Sequence, residues 1–212
     1  YNKDVIVVEP AFGYTNENFA SQKNCYGPAE EQIGGFRSTV QGQASGLRAV
    51  MERLANVPNG RGTGMFYWEP DWYAVNGAGW KTGEGNEWDN LAMFDKNGKA
   101  LESWDVYKDV SDKNGKVVTP TVKEIDESHV TGGIGIPVSL PDKAYVTYTD
   151  DHAEKLAVTW QTPNPTFNKV GTYQVKGTVA GINKPVTCEV KVIKKANLVR
   201  NGNFEKVNLD GW

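Results

Sequence analysis

The chain has 212 residues and a formal net charge of −3. That length leaves room for one large or two small domains, and the charge excludes the basic excess that a nucleic-acid partner requires. No apolar run reaches the ~18 residues that suggest a membrane-spanning helix, so neither nucleic-acid binding nor membrane insertion is expected.

Seven Trp and nine Tyr stand against two His. This balance favours a sugar-handling surface over His- or metal-based chemistry, because aromatic faces stack on sugar C–H faces while Tyr and Trp keep a polar edge. Cys25 and Cys188 fall in what read as separate domains, so no disulfide framework is expected. No signal-peptide pattern is visible, and residue 1 reads as lying inside a domain.

The first element is DVIVVEPAFGYT, Asp4 to Thr15. Four consecutive β-branched residues, Val5 to Val8, predict a short strand buried on both faces. Pro10 lacks an N–H and biases Glu9 towards an extended conformation, so the carboxylate sits where strand becomes loop. In a barrel of parallel strands, catalytic groups sit at such ends. The plain alternative is a solvated Glu that ends a strand.

Residues 16–42 read as a long loop whose acidic members, Glu17, Glu30 and Glu31, are expected to be solvated rather than to ligate calcium. From Gln43 to Val57 the period becomes helical, with Leu47, Val50, Met51 and Leu54 on one stripe. Pro58-Asn59-Gly60 ends this helix. Met65 to Trp68 predicts a second strand, and Glu69-Pro70 after it repeats the grammar of Glu9-Pro10. Strand, helix and strand with both carboxylates on one side make a βαβ unit with parallel strands. The next loop, 71–90, is rich in Gly and carries Trp72, Tyr73, Trp80 and Trp88, which suits a polysaccharide groove. Ser103 to Tyr107 reads as a closing helix, and the segment ends near Lys108.

Charges, Gly and Pro then replace aromatics, and 109–118 reads as linker. From Ile136 to Ile193, within a domain read as 119–195, the period is two: Val186, Cys188, Val190 and Val192 point one way, with Thr187, Glu189 and Lys191 opposite. Short alternating strands with regular turns predict an antiparallel β-sandwich, with Trp160 in its core. The last stretch, 196–212, is too short to bury a core of its own.

The motifs VVEPAFGYT, TVQGQASGLRAVM, GTGMFYWEPDW, GAGW and WDNLAMFDKNGKALESWDVY, in that order over residues 1–108, resemble the C-terminal quarter of glycoside hydrolase family 53. That family comprises retaining endo-β-1,4-galactanases with a (β/α)8 TIM barrel. The resemblance implies that Glu9, ending barrel strand 7, is the nucleophile, and that Trp68, ending strand 8, lines the sugar site. Tyr14, Glu69, Trp72 and Trp80 are the further candidates for sugar contact.

The family's acid/base comes from an Asn-Glu pair ending strand 4, which would precede residue 1. Asn16-Glu17 and Asn86-Glu87 lie in loops and are poor substitutes. Glu69, on the neighbouring strand end, is the alternative acid/base. The acidic, His-containing calcium loop of bacterial relatives is absent, so no metal or cofactor is expected.

SLPDKAYVTYTD, LAVTW, VGTYQVKGTVAG and VTCEVKV resemble a bacterial Ig-like domain, expected to act as a spacer. ANLVRNGNFEKVNLDGW resembles the first strand of a galactose-binding-like carbohydrate-binding module. The resulting expectation is multi-domain: a C-terminal piece of a TIM barrel (1–108), a linker (109–118), an all-β Ig-like sandwich (119–195) and the start of a binding module (196–212). It would belong to a secreted or cell-surface bacterial galactanase that acts on β-1,4-galactan or arabinogalactan and is a monomer at full length. The competing class is a non-catalytic polysaccharide-binding or adhesion protein.

Overall fold

In a computed structural model of the chain, the structure describes residues 2–73, 86–110, 119–182 and 184–194. Trp80, most of the expected linker and the tail 196–212 lie outside the described residues. The chain divides into two compact units. The first runs to Lys123 and takes in Thr147–Glu154, and the second holds the remaining described residues.

The first unit opens with strand β1 (Val5–Val8) and returns with strand β2 (Gly62–Phe66). The two pair in parallel, with Val7 opposite Met65 and Val8 opposite Phe66. Parallel neighbours need a crossover rather than a hairpin, and here it contains helices α1 (Pro28–Gly34) and α2 (Val40–Ala55). The expected strand–helix–strand unit is present.

Helix α2 starts three residues earlier than its apolar period indicates. The Thr39 hydroxyl caps it, accepting from Gly42 N–H at 2.9 Å. Val40 and Gly42 are weak helix formers, so propensity hides this first turn until the cap is seen. Stretch 16–42, read as loop, holds α1, which ends on Gly35 in the left-handed region at φ 77°.

Leu47 and Leu54 are buried, as the α2 stripe requires. Leu47 joins Met93 and Val106 in a core that Phe12, Met51, Met65, Tyr67 and Tyr107 pack against. Burial of a leucine of this kind contributes roughly 2–3 kcal/mol. Gly62 is needed for close approach: a Cβ there would overlap the Leu54 carbonyl oxygen.

β1, expected from the sequence to be buried on both faces, is not. Ile6 is 52 % exposed, Val8 60 % and Phe66 67 %. Only the face of Val7 and Met65 is half-buried. Burial of the other face requires further strands, and among the described residues β1 pairs with β2 alone.

A six-stranded sheet, most of whose residues fall in the second unit, consists of β3 (Val122–Ile125), β4 (Ser128–Gly133), β5 (Lys143–Tyr148), β6 (Ala153–Trp160), β7 (Gly171–Val179) and β8 (Pro185–Ile193). The order is β3-β5-β6-β7-β8-β4. β3 and β4 are the two edges, yet only Asp126 and Glu127 connect them. Three Cα steps span at most ~11 Å, so the sheet must curl until its edges nearly meet.

In place of the expected pair of purely antiparallel sheets there is one curled, mixed ladder, because β4 runs parallel to β8. The interior matches the period-two reading. Val186, Cys188, Val190 and Val192 are all at most 3 % exposed, and Trp160 is 8 % exposed. The Trp160 indole N–H donates to the Pro141 carbonyl.

Candidate active site at the strand ends

Glu9 and Glu69 each follow a strand, and the β1–β2 ladder continues beyond both. Glu9 N–H donates to Phe66 O at 2.9 Å, and Trp68 N–H donates to Pro10 O at 3.1 Å. These bonds hold Glu9 against Phe66 and Pro10 against Trp68, so Glu9 and Trp68 lie one residue step apart across the ladder. Both carboxylate residues have positive φ, 67° for Glu9 and 45° for Glu69. The extended conformation expected for Glu9 before Pro10 is therefore corrected to a left-handed one. Such a conformation in a non-glycine residue costs roughly 1–3 kcal/mol and clusters at functional sites.

Its effect is geometric. Strict alternation would put Glu9 on the half-buried face of Val7, and Glu69 on that of Met65 and Tyr67. The left-handed turn breaks the alternation, and Glu9 is exposed. Trp68, Glu69 and Trp72 are partly exposed on the segment that follows β2. Trp72 meets Trp88 edge-to-face at 6.1 Å, and its N–H bonds back to Glu69 O at 3.3 Å. Glu9, Trp68, Glu69 and Trp72 thus belong to one loop cluster at the strand ends.

Tyr14 differs: it is 9 % exposed and stacks on Phe19 at 6.3 Å. Burial pushes its hydroxyl pKa up, with Asp89, Asp95 and Glu17 adding to the effect.

Gln43 is the residue that sequence reading missed. It is fully buried. Its Nε2 lies 2.9 Å from Phe12 O and 3.0 Å from Ala92 O, and its Oε1 accepts from the Ser103 hydroxyl. Tyr67 reinforces the same node by donating to Leu91 O and accepting from Phe12 N–H. One helix side chain therefore ties the segment after Glu9 to the segment after Glu69. A signal existed: Gln43 lies four residues before Leu47, where the apolar stripe of α2 would extend by one more turn.

Glu31, expected to be solvated, is 3 % exposed. It accepts from Asn16 Nδ2 at 2.7 Å and Ser38 N–H at 2.8 Å, and lies 3.6 Å from the Arg37 guanidinium. These bonds fasten the start of the long segment after β1 to its end. The segment's charge pattern could not show this, because the three partners are scattered along it.

Asp89 is fully buried, and its two carboxylate oxygens have no hydrogen-bond partner among the described residues. Burial raises its pKa to about 6, and the adjacent Asn90 N–H offsets this only in part, short of a well-formed bond. The native state then holds this proton at pH values where the unfolded chain has lost it. Stability should therefore be full below about pH 4 and fall as pH rises towards 6, by roughly 2–3 kcal/mol from this group. Asp89→Asn is expected to remove that fall. Urea midpoints at pH 4, 5, 6 and 7 check it, and parallel curves for the two proteins would contradict it.

Among the described residues no group of three or more His, Cys, Asp or Glu is placed to hold a metal ion, and no helix is long and apolar enough to cross a membrane.

Comparison with known proteins bears on what these strand ends belong to. The chain is 33 % identical over 137 residues to the endo-beta-1,4-galactanase of Bacillus subtilis (strain 168), matching 51 % of this chain and 32 % of that protein. It is 32 % identical over 95 residues to the arabinogalactan endo-beta-1,4-galactanase of Cellvibrio japonicus (strain Ueda107), matching 45 % of this chain and 24 % of the relative. Among solved structures it resembles the GH53 catalytic domain of Ignisphaera aggregans, with 39 % identity, 51 % of this chain and 30 % of that chain covered, and a TM-score of 0.47. The chain spans about a third or less of the length of these relatives. Residues 116–182 match a bacterial Ig-like domain (group 4). Residues 1–107, which contain β1, α2, β2 and the strand-end cluster, match the model of glycosyl hydrolase family 53, and the chain belongs to that family.

Proposed function

We propose that this chain supplies the nucleophile side of a retaining endo-β-1,4-galactanase, with Glu9 as the attacking carboxylate. The observation that carries the reading is the junction of β1 and β2. An exposed Glu in a left-handed conformation follows β1 next to Pro10, whose carbonyl accepts from Trp68 across a parallel ladder, in a chain two of whose relatives are named galactanases.

In a retaining reaction a carboxylate attacks the anomeric carbon, the glycosidic C–O bond breaks, and a second carboxyl group protonates the departing oxygen. Water activated by that second group then hydrolyses the glycosyl ester. Glu9 forms the ester in this reading. Trp68, Glu69, Trp72 and Trp80 line the sugar, and Tyr14 brings a hydroxyl that has no hydrogen-bond partner among the described residues. The acid/base is supplied from outside these 212 residues, from a carboxyl group that must stand about 5–5.5 Å from Glu9.

The exposed Ile6, Val8 and Phe66 fit strands that take further barrel strands as neighbours in the parent protein. The substrate is β-1,4-galactan or arabinogalactan, the protein is secreted or surface-bound and bacterial, and the full-length form is a monomer. Residues 119–195 form its Ig-like domain, joined by the linker 109–118, and 196–212 open a binding module.

Reducing-end release from galactan is the test. The full-length protein should release reducing ends, and the 212-residue chain should release none. Hydrolysis by the isolated chain that is lost on Glu69→Gln would overturn the assignment and make Glu9 and Glu69 the working pair.

A further inference from the structure

Away from the strand ends, the second unit has a cleft of about 380 Å3, within the size range of small-ligand sites. Gln174 and Lys176 of β7 form its floor, and Gln161, Thr162, Thr166 and Phe167 of the segment after β6 form its wall. The wall is held in place. Phe167 O accepts from Gly135 N–H and Pro165 O from Val138 N–H, both at 2.9 Å, while Gln161 N–H donates to Lys176 O at 3.0 Å. Phe167 stacks on Tyr173 with centroids 4.2 Å apart, and the Tyr173 hydroxyl bonds Lys169 O at 2.9 Å. A ligand entering here meets a preformed wall and pays little ordering cost.

Among the described residues no protein group engages the side chains of Gln161, Thr162, Thr166, Gln174 or Lys176. Two amides and two hydroxyls offer donors and acceptors together, which matches vicinal sugar hydroxyls, and Phe167 offers an apolar face for sugar C–H groups. The cleft has one cation and no carboxylate in its lining, and Gln174 is paired in the ladder with Glu189. A polyanion would meet one positive charge with a negative one next to it.

We propose that this cleft binds a neutral oligosaccharide, so that the Ig-like unit is a second sugar-binding site rather than only a spacer. The inference does not rest on the role given to Glu9. The test is a titration of the chain, followed by the side-chain amide resonances of Gln161 and Gln174, with β-1,4-galactotetraose, arabinotetraose, cellotetraose and trigalacturonate. At least one neutral oligosaccharide should shift both amides. Gln174→Ala, a change at an exposed position, should weaken that binding about tenfold, and Trp72→Ala should leave it unchanged. The proposal is overturned if no neutral oligosaccharide moves these resonances, if only trigalacturonate does, or if Trp72→Ala abolishes the shifts.

Discussion

Replacing Glu9 by Gln in the full-length enzyme that carries this chain is expected to lower kcat on galactan by about three orders of magnitude or more, with KM little changed. The amide keeps the shape of the carboxylate but cannot form the glycosyl ester, and the reaction loses the step that divides one high barrier into two lower ones. Three orders of magnitude correspond to about 4 kcal/mol of transition-state stabilisation. Binding should survive because the proposed sugar contacts, Trp68 and Trp72, are untouched, and a loss in kcat without a rise in KM marks an interaction made only in the transition state.

A second variant separates a nucleophile from a residue that merely shapes the site. Glu9→Ala with azide should turn over an activated aryl β-galactoside and give the α-galactosyl azide, since a single displacement inverts the anomeric centre. Glu69→Gln should lose at least about tenfold less activity than Glu9→Gln if Glu69 hydrogen-bonds at the rim rather than transferring the proton. Retained turnover in Glu9→Gln, or an azide product of retained configuration, would contradict the assignment.

The second large effect is on stability. Gln43→Leu is expected to destabilise the chain by about 3–5 kcal/mol, against a typical total of about 5–15 kcal/mol for a domain. The new side chain is apolar and of similar size, so packing changes little. The loss comes from what Gln43 leaves behind: the carbonyls of Phe12 and Ala92 and the hydroxyl of Ser103. A buried polar group without its partner costs about 1–3 kcal/mol. Gln43→Glu should be nearly as damaging at pH 7, because a carboxylate cannot donate to those carbonyls and is itself buried. Gln41→Leu, at an exposed position on the same helix, should change stability by less than about 0.5 kcal/mol. Urea midpoints with unchanged m-values check all three. A Gln43→Leu protein within about 1 kcal/mol of the parent would show that Tyr67 carries the node alone.

The two predictions are linked through the structure. Gln43 fixes Phe12, three residues beyond Glu9, to the segment that follows β2. An error in that register would displace Glu9 relative to the β2 end, and the attack proposed for Glu9 would tolerate little misplacement. In the full-length enzyme a folded Gln43 variant should therefore lose kcat more than it loses galactan binding.

Much of this protein is legible from local pattern. The β-branched run Val5–Val8, the Leu47–Leu54 stripe and the repeated Glu-Pro after each strand set out a parallel strand–helix–strand unit, because side-chain periodicity and proline act over a few neighbouring residues. The alternation in Val186–Val192 likewise marked an inward face that is buried in the fold. The ordered motifs identified the family.

What needed the tertiary structure is everything set by contacts distant in sequence. The left-handed turn at Glu9, against the preference imposed by Pro10, depends on bonds across to Phe66 and Trp68. Glu31 is buried rather than solvated because Asn16, Arg37 and Ser38 converge on it. Gln43 reads as a polar break at the end of an apolar stripe until carbonyls 31 and 49 residues away turn out to need its amide. The two edges of the curled sheet, β3 and β4, are sequence neighbours that never pair, a closure that no alternation pattern encodes. Periodicity records which way a residue faces, and only the fold decides what it meets there.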